Sequence, residues 1–363
     1  MRLLSLTGFN YCDKVSNLRP KGNTMRNVGI LLFIAAVVGV VSSCSNDRYR
    51  ANLSGIEAEI EIKRLENDLF VVNPVVMRSE VPALTSKYGN FLQLFSYVIN
   101  IGEITSDVWH ENITLFVTDR MNSDAYNAVT EKYADISDIE DGLKQGFRHY
   151  LYYFPGKHIP EVYTCITGFN NSIIVGDSLI GISLERYLGP DCEFYPMLGI
   201  YQYLTLKMDR DNIVPDCMYA WAFTEWNFEE MGYGTDNVFA RIIHEGKLLY
   251  FMRSMLPDTD EAGLLGFTGD QMKFCRNNEE AIWTYIVEHD LLFSTDQLII
   301  RKLTGEAPFT SYFSSESPGR AALWTGFRIV EEFMSRHQNV TLPELMEITD
   351  YQSILTGAKY NPR

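Results

Sequence analysis

The chain has no second histidine four residues after His244, no C-x-x-C pair, no excess of positive charge, and no repeat or low-complexity tract. Each of these gaps excludes a class of function. The zinc-protease signature His-Glu-x-x-His places two histidines on one helix face to hold the metal, with the glutamate activating a bound water. Here the stretch His244-Glu245-Gly246-Lys247-Leu248 puts leucine where the second ligand belongs. After Cys44 the cysteines are Cys165, Cys192, Cys217 and Cys275, too far apart for a zinc knuckle or a redox motif. A large apolar core needs no disulfides, so buried free thiols are expected. Acidic residues outnumber basic ones 47 to 31, and beyond residue 43 the balance is 46 to 26, a net charge of about −20. Such a surface repels phosphate backbones and anionic headgroups and argues against nucleic acid as a partner.

Other catalytic signatures fail on spacing. Gly176-Asp177-Ser178-Leu179-Ile180-Gly181 is one residue too long for the nucleophile elbow of serine hydrolases. Phe154-Pro155-Gly156-Lys157-His158 has Leu151 where a P-loop has its first glycine, and a histidine where it has Ser or Thr. Asp209, Asp211 and Asp216 do not make a calcium loop, because Ile213 and Val214 occupy a ligand position and the glycine position. A solvated acidic loop is expected there, and likewise at Asp258, Asp260 and Glu261.

What the chain does contain begins with a targeting segment. Met25-Arg26-Asn27 is a short basic start and residues 28–41 are an apolar run. That run is short for a membrane span, which needs about 20 residues, and fits the apolar region of a secretory signal. Val41-Ser42-Ser43-Cys44 follows like a bacterial lipobox. The expectation is a signal over residues 1–43 with its true start at Met25, a lipidated Cys44 as membrane anchor, and a polar tether over residues 44–55. The protein would then be held to a bacterial membrane in the cell envelope by lipid.

With 46% hydrophobic and 13% aromatic residues, the rest predicts one α+β unit, a mixed sheet lobe over about residues 56–190 and a helical lobe over 191–363. Alternation of Ile56, Ala58, Ile60 and Ile62 with Glu57, Glu59 and Glu61 reads as a strand with one wet face. Residues 113–118, 161–167, 172–175 and 179–184 read as further strands, and 81–101 as a helix. Capping boxes are read at Ser137-Asp138-Ile139-Glu140, Thr268-Gly269-Asp270-Gln271 and Thr341-Leu342-Pro343-Glu344. Ser317-Pro318 reads as an N-cap with proline in the first turn. Helices are predicted over 194–208, 213–226, 237–255, 278–293, from Pro318 to Arg336, and lastly after Thr341.

The helix over 237–255 is apolar on most sides, and Arg241, His244 and Glu245 form its one polar strip. Buried ionisable groups are costly unless paired or ligated. They are therefore read either as a satisfied core pair or as the remains of a site in which His244 and Glu279 or Glu280 ligate a metal and Glu245 is the base. Trp221, Trp226 and Tyr233, interleaved with Glu225, Glu229 and Glu230, are candidates for stacking a sugar.

Taken as a set, several pieces resemble the gliding-motility lipoprotein GldB family. They are the stretch from Arg64 to Phe70, Ser183-Leu184-Glu185-Arg186-Tyr187-Leu188-Gly189, His244 to Tyr250, Asn278-Glu279-Glu280-Ala281-Ile282-Trp283 and Phe293-Ser294-Thr295-Asp296. Ala307-Pro308-Phe309, Ser317-Pro318-Gly319-Arg320, Trp324 to Val330 and Lys359-Tyr360-Asn361-Pro362 complete it. The resemblance implies an envelope lipoprotein that gliding relatives need for surface movement, with no established catalytic activity. The leading expectation is a non-catalytic lipoprotein that contacts other envelope proteins and needs no cofactor. The chain is also distantly similar to predicted zinc peptidases of zincin-like layout. That similarity implies a degenerate site broken at Leu248. The alternatives are a zinc-dependent hydrolase with a modified ligand set, recruiting His289, and a glycan-binding surface lipoprotein.

Overall fold

Two glycines set the centre of the structure, a computed structural model that describes residues 49–232 and 234–362. Gly246 lies in the helix Val238–Met255 and Gly326 in the helix Ala321–Arg336. A Cβ on Gly246 would sit 2.4 Å from the carbonyl oxygen of Gly326, and one on Gly326 would sit 1.8 Å from that of Ile242. The two backbones therefore touch, and no other residue type fits at either position. The first helix buries 15 of its 18 residues, as expected for a helix hydrophobic all round. Its N-cap, Asn237, accepts a hydrogen bond from the Ala240 amide at 2.8 Å. Residues from Tyr49 onward form one compact unit, and its helices and four-stranded mixed sheet meet the α+β expectation.

The four-stranded sheet has the order β1-β2-β4-β3, with β1 Ile62–Arg64, β2 Glu161–Cys165, β3 Ile173–Gly176 and β4 Leu179–Ser183. β1, β2 and β4 run parallel, and β3 pairs antiparallel with β4. Period-two alternation divides its side chains between two cores. Val162, Ile180 and Ile182 join the main core with the two central helices. Tyr163, Cys165, Ile174 and Leu179 join a second core with Phe91 and Phe95 of the helix Met77–Val98. Phe91 stacks on Tyr163 with ring centroids 4.2 Å apart. Gly181 makes room for it, since a Cβ there would meet the Phe91 ring at 2.5 Å. At the carboxyl ends of these strands lie two buried glutamates. Glu66 accepts from Arg64 Nε at 2.7 Å and Thr164 Oγ1 at 2.8 Å. Glu185 accepts from the Thr167 amide at 2.7 Å, its hydroxyl at 2.8 Å and the Phe169 amide at 3.1 Å. Burial raises the pKa of both. The stretches around Arg64 and Ser183 are therefore parts of the sheet's framework.

Several expectations need correction. Residues 113–118 are not a strand but the end of the helix Trp109–Thr118. Its buried side chains are Trp109, Ile113 and Val117, spaced four apart, while Leu115 is 70% exposed; six β-branched and apolar residues were too short a window to show that period. Ala58, Ile60 and Ile62 are buried as predicted, but only residues 62–64 pair in the sheet. The span 194–208 breaks into the single turns Phe194–Met197 and Gln202–Thr205 around Gly199, whose φ is 71°. The helix Ser137–Tyr153 starts from Ile136 without a side-chain cap, whereas the boxes at Thr268 and Thr341 both form. Ser317 caps nothing, because its helix begins at Ala321 after Arg320, which is left-handed with φ 61°. A further helix, Tyr351–Ala358, follows the one predicted to be last. Cys165, Cys192, Cys217 and Cys275 are free thiols, all buried except the half-buried Cys192.

Candidate functional site

His244 and Glu245 are neighbours on the central helix, about 100° apart around its axis, and they serve different surroundings. His244 is buried, with Nδ1 3.1 Å from the Tyr351 hydroxyl and the edge of Phe228 against its ring at 5.3 Å. One turn along, the buried Lys247 donates to the carbonyls of Met346 and Ile348 at 2.8 Å each. These are at the end of the helix Leu342–Glu347, where a cation is favoured. Burial, then the positive charges of Lys247 and Arg241, push the His244 pKa down to about 3. The imidazole is neutral at physiological pH. Burial also pushes Lys247 down to about 7.

The other residues of the predicted metal site are elsewhere engaged. Glu279 accepts from Tyr360 Oη at 2.8 Å and Arg328 Nε at 3.3 Å, while Glu280 is exposed. His289 is exposed and stacks on Tyr285 at 3.9 Å. Leu248 is fully buried in the main core. Among the described residues no group of three or more His, Cys, Asp or Glu is arranged to hold a metal ion. Both bonds to Glu279 are to its Oε1, Arg328 offsets its charge, and Leu248 offers no ligand atom.

The aromatic segment also departs from expectation. Trp221 is 7% exposed and meets Phe147 and Tyr150 edge-on; Trp226 is 4% exposed and packs on Phe154 and Phe251. A sugar stacks on an open ring face, which neither offers. Tyr233 and Cys44 lie outside the described residues.

Glu245 instead faces a cleft of about 360 Å³. Besides Lys207, three elements supply its charged side chains and Tyr219. From the helix Ile213–Glu225 come Asp216 and Tyr219, one turn apart on the same face. Tyr219 Oη donates to Glu245 Oε2 at 2.9 Å, and Tyr187 Oη donates to Asp216 Oδ2 at 2.8 Å. Burial raises the pKa of both carboxyls. The third element is the loop before the helix Ala321–Arg336, which brings Glu306 and Arg320 together. Lys207 Nζ donates to Glu306, and Arg320 Nε lies 3.3 Å from the same carboxylate. Arg320 Nη2 also donates to the Leu265 carbonyl at 2.8 Å. Leu249, Met252 and Leu264 form the apolar wall.

That loop is held rigidly by the stretches Ala307-Pro308-Phe309 and Ser317-Pro318-Gly319-Arg320. The amide and hydroxyl of buried Thr310 donate to the Pro318 carbonyl at 2.9 and 2.8 Å, and Ser317 Oγ accepts from the Thr310 amide at 3.2 Å. Gly319 lies so close to Ala307 that a Cβ would be 2.2 Å from its carbonyl oxygen. Sequence reasoning singled out Glu245 but missed Lys207, Tyr219, Glu306 and Arg320, and it placed Asp216 in a solvated loop. Asp211 is exposed as expected, but Asp216 is recessed. The available signal was its spacing, three residues before Tyr219 on a helix with no other charged residue before Glu225.

No curated protein and no solved structure matches the chain, so the similarity to zinc peptidases gains no support from them. Among the described residues no helix is long and apolar enough to cross a membrane. A match to one protein family, described as gliding motility protein GldB, runs over residues 46–362. With nearly everything beyond residue 45 matched, from the sheet through the cleft to the last helix, the chain belongs to the GldB family of gliding-motility lipoproteins.

Proposed function

We propose that this protein is a non-catalytic lipoprotein of the cell envelope that supports gliding motility through contacts with other envelope proteins. The family match over residues 46–362 carries this reading. The non-catalytic part is supported by Leu248 in place of a metal ligand and by the separate partners of His244, Glu245 and Glu279. A catalytic zinc normally has three protein ligands and an open position. The finer zincin-like ancestry is supported by the order of elements: a central His-Glu helix, a later glutamate helix, and a glycine-bearing helix crossing the first.

In this reading residues 1–43 are removed as a signal peptide and Cys44 is acylated. Cys44→Ala is expected to move the protein from the membrane to the soluble fraction on cell fractionation, and retention would contradict a lipid anchor. Metal analysis of the purified protein is expected to find no stoichiometric transition metal, and no change in His244→Ala. One metal per chain that disappears in that variant would overturn the non-catalytic reading and restore the hydrolase. Pull-down from envelope extracts, compared with a glycan array, tests the mode of action. Tight glycan binding with no protein partner would replace contact between proteins as the proposal.

A further inference from the structure

The cleft beside Glu245 has a charge pattern that the motility role does not explain. Its two cations are already matched. Lys207 and Arg320 share Glu306, and Arg320 also donates to the Leu265 carbonyl. Its two recessed carboxyls are not: Glu245 and Asp216 each receive a tyrosine hydroxyl, and among the described residues neither has an ion-pair partner. Holding two carboxyls in a partly dry site without a cation is costly, and a fold with no use for them would gain by replacing either with an apolar residue. Each tyrosine donates to one oxygen, Glu245 Oε2 and Asp216 Oδ2, and so orients the carboxyl. Leu249, Met252, Leu264 and Leu265 line the same cavity with methyl and methylene groups. Its volume, about 360 Å³, falls within the range of pockets that take small ligands or single side chains.

We propose that this cleft is a binding site for an aliphatic primary ammonium group, such as the end of a lysine-type side chain, with Glu245 and Asp216 as its acceptors. The alkyl chain lies along Leu249, Met252 and Leu264, and the ammonium, with its three donors, reaches the two carboxyls. Lys207 and Arg320 act on the two acceptors only at a distance, because both form their ion pairs with Glu306. An anionic ligand would instead have to displace Glu306 from both.

The test is a calorimetric titration of the purified full chain with three probes that differ at one end: Nα-acetyl-lysine methylamide and its norleucine and glutamate counterparts. The lysine probe is expected to bind at least about tenfold more tightly than the norleucine probe, the worth of one charge-assisted hydrogen bond. The glutamate probe is expected to bind no better than norleucine. Equal binding of the lysine and norleucine probes to the unaltered protein, including no binding of either, overturns the proposal, as does preference for glutamate. Glu245→Gln and Asp216→Asn keep side-chain volume and an oxygen for the tyrosine. In either variant that retains the thermal unfolding midpoint of the parent, the lysine preference is expected to collapse. A preference that survives in both moves the ammonium away from these carboxyls and overturns the assignment.

Discussion

Gly326→Ala is expected to lower stability by about 3 kcal/mol or more, or to prevent folding altogether. The added methyl would meet the Ile242 carbonyl oxygen at 1.8 Å and its carbon at 2.5 Å. These atoms belong to a helix backbone, which cannot swing aside as a side chain can. The two central helices must therefore separate, and every contact along their crossing loosens with them. Gly269→Ala is the matched control. Gly269 opens the helix Gly269–Asn277 with nothing within 4 Å of a Cβ, so alanine there is expected to be neutral or stabilising by a few tenths of a kcal/mol. Urea denaturation of both variants checks the pair. Equal midpoints for Gly326→Ala and the parent would mean that the helices do not meet at these glycines.

The second large effect is acid sensitivity through His244. Its folded pKa is about 3 against an ordinary value of 6.5. Between those pH values the unfolded chain binds a proton that the folded chain refuses, so stability falls as pH falls through this window and is fully present above it. From pH 7 to pH 4 the loss is about 3 kcal/mol. The buried carboxyls Glu66, Glu185, Asp216 and Glu245 have raised pKa values. They contribute the opposite slope, because the folded state takes up their protons first. Comparison with His244→Gln removes that background. The variant is expected to lose less stability than the parent between pH 7 and pH 4 in denaturant titrations. Parallel pH curves for the two proteins would show that His244 is not held neutral by burial.

Much of the secondary structure was legible in short-range patterns. Strands β2, β3 and β4 overlap the spans read as strands over 161–167, 172–175 and 179–184, and Thr268 and Thr341 close capping boxes with partners three residues on. Residues 113–118 failed because β-branched residues favour strands only when a sheet is there to receive them. Ser317 looked like an N-cap, yet its hydroxyl serves Thr310, a partner no window around Pro318 contains. The cleft was the least legible part, because Lys207, Asp216, Glu245, Glu306 and Arg320 come from elements scattered over more than a hundred positions and meet only when the helices pack.

By itself the sequence determined that a helix over 237–255 would be buried on nearly all sides, that Leu248 breaks the metal-binding pair, and that the acidic balance disfavours nucleic acid. These follow from residue type and helical period, which are local properties. Only the tertiary structure decided that His244 and Glu245 part company. One turns to Tyr351 and Phe228 and is kept neutral, and the other turns to Tyr219 and an open cleft. Two adjacent side chains on a helix diverge by about 100°, and what each one meets depends on which distant segments pack there. Here the close crossing at Gly246 and Gly326 brings the loop before Ala321, and with it Glu306 and Arg320, to the cleft.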